Sequence, residues 1–303
     1  TPIKSSAASD VYKRQILQIA DWLMEVSCGS EVADRLQNLK PFLLPEMPVC
    51  SRSHICRLEL GCKFPIKETA PDVVNHPDGR TIHIWLTDDY CYIALTPYGS
   101  PHTYWLRTDR RWRNVQTDLL PETSEDYALL NDFIMISFIY SAAFHGGALI
   151  HASCVAIDDK GVAFVGPSGI GKSTHSQLWL KHIPGARLLN DDQPILRLMP
   201  GGEVMLFGSP WSGKTSCYIN EGVRLETIFR MEQADENRAV RMDGIEAFRM
   251  LLSSTSLIGR DSLSFAVISG TLAQIAGSIP TFTLYNKPEQ EAALLSYNIF
   301  KDK

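Results

Sequence analysis

Gly166-Pro167-Ser168-Gly169-Ile170-Gly171-Lys172-Ser173 satisfies the phosphate-binding pattern GxxxxGK[ST] at every fixed position. The preceding run, Gly161-Val162-Ala163-Phe164-Val165, reads as a buried strand. The following run, Thr174-His175-Ser176-Gln177-Leu178-Trp179-Leu180, reads as the first turns of a helix. Strand, glycine loop and helix form the setting in which backbone N–H groups turn inward on a phosphate chain. The helix N-terminus adds partial positive charge there. In that setting Lys172 reaches the β/γ-phosphates and the Ser173 hydroxyl holds Mg²⁺. The expected nucleotide-binding residues are therefore Gly166, Pro167, Ser168, Gly169, Ile170, Gly171, Lys172, Ser173 and Thr174, with ATP and Mg²⁺ as cofactors.

The pattern recurs at Gly208-Ser209-Pro210-Trp211-Ser212-Gly213-Lys214-Thr215, after the strand-like Val204-Met205-Leu206-Phe207. No helical periodicity follows it, and Pro210 removes a loop donor. This second loop is expected to present Lys214, and with it Trp211, to a transferred phosphate or to its acceptor. Asn190-Asp191-Asp192 closes another strand-like run, Ala186–Leu189. Adjacent carboxylates on an extended segment point to opposite sides. One can face a metal while the other takes the proton of an attacking hydroxyl. His151, at the start of the strand before the loop, reads by itself as a hydrogen-bonded structural residue.

Three segments together resemble the C-terminal kinase domain of HPr serine kinase/phosphorylase, in the P-loop superfamily that includes phosphoenolpyruvate carboxykinase. They are Leu149-Ile150-His151-Ala152-Ser153, Gly166–Thr174 and Leu188-Leu189-Asn190-Asp191-Asp192. The likeness covers roughly residues 145–255, and it is nearest to the HPr-kinase-like proteins, some of which phosphorylate a serine of a precursor peptide. It implies His151 near the phosphates, Lys172 and Ser173 on nucleotide and Mg²⁺, and Asp191 and Asp192 as base and metal partner. Ser173 and Asp192 are the expected metal ligands. The chain departs from true HPr kinases where those carry Glu-x-Arg-Gly-Leu-Gly; the Gly208–Thr215 loop stands there instead. HPr is therefore not the expected substrate, and the additional ligands of carboxykinases are absent.

The 303 residues carry a net charge of −5, which gives no basic surface for nucleic acid or lipid. Seven cysteines without a CxxC pair read as free thiols of a reducing cytoplasm. The most apolar run, Phe133–Ala143, suits a buried helix and is too short for a membrane span. Residues 1–15 lack a core pattern and read as a non-native leader. Residues 16–144 form a β-rich module of alternating runs that ends in a helix opened by Thr123-Ser124. Within it Ile16–Val26 fits a helix or a strand, and Arg107, Arg110, Arg111 and Arg113 form a basic cluster. Residues 145–303 form the P-loop kinase-like domain, with Arg238 or Arg241 expected to stabilise charge on the phosphoryl group. The expected fold is α/β, a P-loop kinase core behind a β-rich N-terminal module. The expected function is ATP- and Mg²⁺-dependent transfer to a serine-type hydroxyl on a peptide or small protein, in the cytoplasm, with a homo-oligomer left open. Two other readings stay open: a nucleotide-binding regulator or ATPase without acceptor, and a small-molecule phosphotransferase of carboxykinase-like type.

Overall fold

A computed structural model describes residues 14–28, 31–46, 53–213, 215–255 and 257–302. The chain is mixed α/β and divides into two units, residues 1–141 and 142–303, each with its own nine-stranded sheet.

In the first unit the strands are β1 (Arg14–Ile19), β2 (Trp22–Ser27), β3 (Leu43–Leu44), β4 (His54–Glu59), β5 (Val73–Asn75), β6 (Thr81–Leu86), β7 (Tyr90–Thr96), β8 (Tyr104–Asp109) and β9 (Asn114–Thr117). A short helix α1 (Glu31–Arg35) follows β2, and α2 (Ser124–Ala143) ends the unit. The sheet order is β3-β1-β2-β4-β9-β8-β7-β6-β5. β2, β4 and β9 run parallel and the other pairs antiparallel, so the sheet is mixed. The ambiguous Ile16–Val26 run is a hairpin. Ala20 and Asp21 take φ of 49° and 61°, and Ile19 pairs with Trp22 across this two-residue turn. Arg14 and Gln15, grouped with the leader on sequence, are the first residues of β1.

The helix α2 lays Phe133, Ile134 and Phe138 into this unit's core, and its Ser141 hydroxyl donates to the Ile55 carbonyl at 2.7 Å. Trp85 stacks on Trp105 at 5.1 Å, so these aromatics pack the sheet. Arg107 lies over the rings of Phe64 and Tyr90 and bonds Gln116, and Arg110 donates to the Thr87 carbonyl. The basic cluster is thus partly consumed by local structure.

The second unit contains β10 (Gly147–Leu149), β11 (Ala152–Ile157), β12 (Lys160–Val165), α3 (Lys172–His182), β13 (Arg187–Asp192), β14 (Ile195–Leu198), β15 (Val204–Phe207) and β16 (Gly222–Gln233). It continues through β17 (Arg238–Arg241), α4 (Gly244–Ser253), α5 (Ser262–Ser278), β18 (Thr281–Asn286) and α6 (Gln290–Lys301). The order is β10-β14-β15-β16-β12-β11-β13, with β18 also on β16 and β17 on β18. The long β16 carries both neighbours: residues 222–224 pair β15, and residues 228–233 pair β18 in parallel.

Gly161–Val165 of β12 is buried throughout, which is why it reads as an unbroken apolar run. Phe164, Trp179, Phe229 and Phe300 form the centre of a core between the sheet and α3 and α6. Burying each such ring stabilises by roughly 2–3 kcal/mol. Among the described residues no helix is long and apolar enough to cross a membrane.

Candidate functional site

Sheet register brings the sequence motifs to one end of the second sheet. Ala152 pairs with Val165 on one side and with Asp192 on the other. His151, one residue earlier, therefore lies beside both the glycine loop that leaves β12 at Gly166 and the carboxylate that ends β13. Its backbone is fixed from a third side, because its N–H donates to the Ser254 carbonyl at 2.8 Å, just past α4.

The glycine loop joins β12 directly to α3. Pro167, Ser168 and Gly169 are exposed, and Gly169 and Gly171 take φ of 81° and 109°. Glycine is needed at both because an L side chain is strained at those angles. Gly171 is the N-cap of α3, and Ser173 and Thr174 are exposed on its first turn.

Lys172 is folded back over this loop. Its Nζ donates to the carbonyls of Gly166 at 2.9 Å and Pro167 at 3.1 Å, and contacts His151 Nε2 at 2.9 Å. An ammonium has only donors, so His151 Nε2 is the acceptor and Nδ1 carries the proton. Nδ1 in turn lies 2.8 Å from Asp192 Oδ1. Lys172, His151 and Asp192 form one continuous chain of hydrogen bonds. Burial pushes the Lys172 ammonium below its ordinary value, and the carboxylates of Asp192 and Asp191 oppose that shift.

The paired aspartates face different surroundings, as strand alternation requires. Asp191 is 4% exposed, whereas the Asp192 side chain is 31% exposed. Both are held by the second glycine loop. Gly213 N–H donates to the Asp191 carbonyl at 2.7 Å, and Ser212 forms a bridge with Asp192. A Cβ on Gly213 would lie 2.9 Å from the Asp191 carbonyl oxygen, and one on Gly208 only 2.1 Å from that of Ile219. These glycines serve close backbone approach. Trp211 is buried, and its carbonyl accepts from Asn190 Nδ2 at 3.1 Å. The loop segment 208–213 thus clasps the tip of β13 and does not hold Trp211 out to a ligand. Lys214 lies outside the described residues.

No family model matches the sequence, and no curated protein matches it. Solved structures do match. One is the Hpr(Ser) kinase/phosphatase from Coxiella burnetii, 13% identical, with a TM-score of 0.31 over 51% of this chain and 97% of that one. A likeness at that level carries no weight for the reading of the site, which rests on the geometry of this chain.

Two cavities open at opposite ends of the glycine loop. One, of about 860 Å³, is walled by His151, Gly166 and Pro167 together with Arg230, Glu246 and Arg249. Arg230 is paired with Glu232, while Arg249 has no ion-pair partner among the described residues. The other, of about 650 Å³, is walled by Gly169, Gly171 and Thr174 on the loop side. Arg238 and Arg241, expected at the phosphoryl group, are at neither. On the edge strand β17 they lie over the rings of Tyr285 and Phe282, at 3.7 Å and 5.9 Å. The arginines at the loop are Arg230, near the end of β16, and Arg249, on α4. Sequence reading passed over both because neither sits in a motif. Asn190 was likewise missed: it is fully buried and binds Ser209, Trp211 and Gln193.

Among the described residues no three acidic, His or Cys side chains converge to hold a metal. Mg²⁺ is compatible with that, because it keeps water and phosphate oxygens and takes one or two carboxylates. Of the two expected ligands, Ser173 is exposed on the first turn of α3 and Asp192 is half-buried.

His175, on the buried side of α3, gives a pH-dependent stability. Burial pushes it down to about 4. Its ring packs edge-on to Phe164 at 4.6 Å, and Nε2 lies 2.9 Å from Ser296 Oγ. Ser296 Oγ also accepts from Trp179 Nε1 at 2.8 Å. An unfolded histidine takes its proton near 6.5, so between pH 6.5 and 4 the unfolded chain binds more protons, and stability falls as pH falls. Going from pH 7 to 5 is expected to remove about 2 kcal/mol through this residue. Urea unfolding of the intact chain and of His175→Gln at both pH values measures it, and the excess loss at pH 5 should vanish in the variant.

Proposed function

We propose that this chain is an ATP- and Mg²⁺-dependent phosphotransferase of the HPr-kinase-like kind, acting on a serine-type hydroxyl of a peptide or small protein. The observation that carries this reading is the hydrogen-bonded chain Lys172–His151–Asp192 laid across the mouth of the glycine loop.

The loop amides and Lys172 bind the triphosphate; Ser173 and Asp192 would hold a Mg²⁺ ion, which would supply neutralisation of the phosphate charge. To bind phosphate, Lys172 exchanges its carbonyl and imidazole partners for phosphate oxygens. His151 Nε2 then has a free lone pair in the wall of the larger cavity, while Asp192 keeps Nδ1 protonated and the ring oriented. Nε2 accepts the proton of the acceptor hydroxyl as its oxygen bonds to the γ-phosphorus and the β–γ bridging bond breaks, releasing ADP. Asp192 stabilises the imidazolium that results. Asp191, buried beneath the second loop, adds negative charge behind this pair. Nucleotide arrival and base activation are one event, so the base is idle until the loop is filled. Arg249 and Arg230 flank the acceptor cavity, where Arg249 is available to an anionic group of the acceptor or to the transferred phosphoryl.

The experiment is incubation of the intact chain with γ-labelled ATP, Mg²⁺ and lysate of its source organism. A labelled polypeptide that is absent with Asp192→Asn supports the reading. Free phosphate alone would overturn the polypeptide acceptor and favour a nucleotide-dependent regulator.

A further inference from the structure

A further cavity, of about 760 Å³, lies wholly within the first unit. It opens between the first turns of α2 and the β7–β8 connection, residues 97–103. Glu125, Ala128, Leu129 and Asp132 follow the i, i+3, i+4, i+7 spacing of one helix face, and that face of α2 walls the cavity. Leu95 and Leu129, both buried, give it an apolar floor, which Pro97 continues towards the rim.

A large aromatic ring is left in solvent at this rim. Tyr98 is 82% exposed, yet its ring has a fixed support. A Cβ on Gly79 would lie 2.7 Å from Tyr98 Cδ2, so the ring rests against bare glycine backbone. An exposed ring over an apolar hollow offers its negative face to a cation.

The charges around the hollow are unequal. Glu125, Asp126 and Asp132 line it against the single cation Arg80. Arg80 is paired with Asp132. Asp126 accepts from the N–H groups of Glu122 and Thr123 and, at 2.7 Å, from the Tyr104 hydroxyl, so it is hydrogen-bonded but has no counter-ion among the described residues. Glu125 is exposed and has neither an ion-pair nor a hydrogen-bond partner among the described residues.

A long aliphatic stem ending in a cation matches both properties. The stem lies along Leu95 and Leu129, and the head lies between the Tyr98 ring and the Glu125 carboxylate. We propose that this cavity docks a polypeptide segment through an arginine or lysine side chain flanked by apolar residues. Its volume is within the roughly 300–1,000 Å³ of cavities that enclose whole small ligands, so it takes a few residues of a chain and not one side chain alone. None of its residues takes part in the phosphoryl transfer proposed above, and the inference does not rest on that reading.

The test is calorimetric titration of the intact chain with acetyl-Gly-Leu-Arg-Leu-Gly-amide, with the same peptide carrying Glu in place of Arg, and with spermidine. The arginine peptide is expected to bind about ten-fold more tightly than either of the others. Tyr98→Ala and Glu125→Gln, both at exposed positions, should each weaken it about three-fold or more with Tm unchanged. No binding of the arginine peptide, equal binding of the glutamate peptide, or variants that bind as the intact chain does would overturn the docking site. Spermidine binding as tightly as the arginine peptide would overturn the polypeptide occupant.

Discussion

Replacing Lys172 with Met is expected to lower the proposed phosphoryl transfer by about a thousand-fold, in line with the loss of one charged donor from a preorganised site. Met keeps the length and apolar volume of the stem but not the charge. The same change leaves the fold intact. Burial disfavours the ammonium and pushes its pKa down, so removing the charge removes a desolvation cost together with its hydrogen bonds. The measurement pairs kcat/KM with thermal unfolding. A large kinetic loss with an unchanged Tm is expected; a lowered Tm with unchanged transfer would make Lys172 a structural clamp on Gly166 and Pro167.

The second large effect is at the His151–Asp192 pair. His151→Gln and Asp192→Asn are each expected to lower kcat by about a thousand-fold, and the double variant by about the same amount, because groups that act as a unit are strongly non-additive. Asp192→Asn keeps the side-chain shape and a hydrogen-bond partner for Nδ1 but cannot stabilise an imidazolium. If Asp192→Asn is dead and His151→Gln keeps most of its activity, the carboxylate takes the proton itself and the histidine only orients it. A multiplicative double variant would show two independent roles.

Much of this site is legible in the sequence, for a local reason. The glycine loop is specified by contiguous residues, so the turn at Gly166–Ser173 could be read directly, together with the strand before it and the helix after it. The aspartates were legible as a pair, but not their inequality. Asp191 is buried and Asp192 is not, and the loop that holds both, through Gly213 and Ser212, arrives some twenty positions later in the chain. The second loop was legible only in part, for the same reason. Its GxxxxGKT spelling suggested presentation of Lys214 and Trp211; Trp211 is buried, and Gly208 and Gly213 meet the backbones of Ile219 and Asp191 too closely for a Cβ. Nothing within the motif encodes that contact. His151 illustrates the same limit: its sequence neighbours are apolar, and only the pairing of Ala152 with both Val165 and Asp192 places it between lysine and carboxylate. Arg249 reaches the loop from α4 through tertiary packing alone, while Arg238 and Arg241, nearer in sequence to what an arginine finger suggests, are spent on the rings of Tyr285 and Phe282.

The hairpin at β1 and β2 shows a milder form of the same problem. Its apolar run suits either helix or strand over so few residues. Ala20 and Asp21 do not advertise the left-handed turn as Asn-Gly would.

The most direct test of the account is a calorimetric titration of Mg·ATP into the intact chain at pH 7, repeated with Lys172→Met. The account predicts saturable binding at one site per chain, weakened at least ten-fold in the variant. Absence of binding to the intact chain, or equal binding to both, would contradict it.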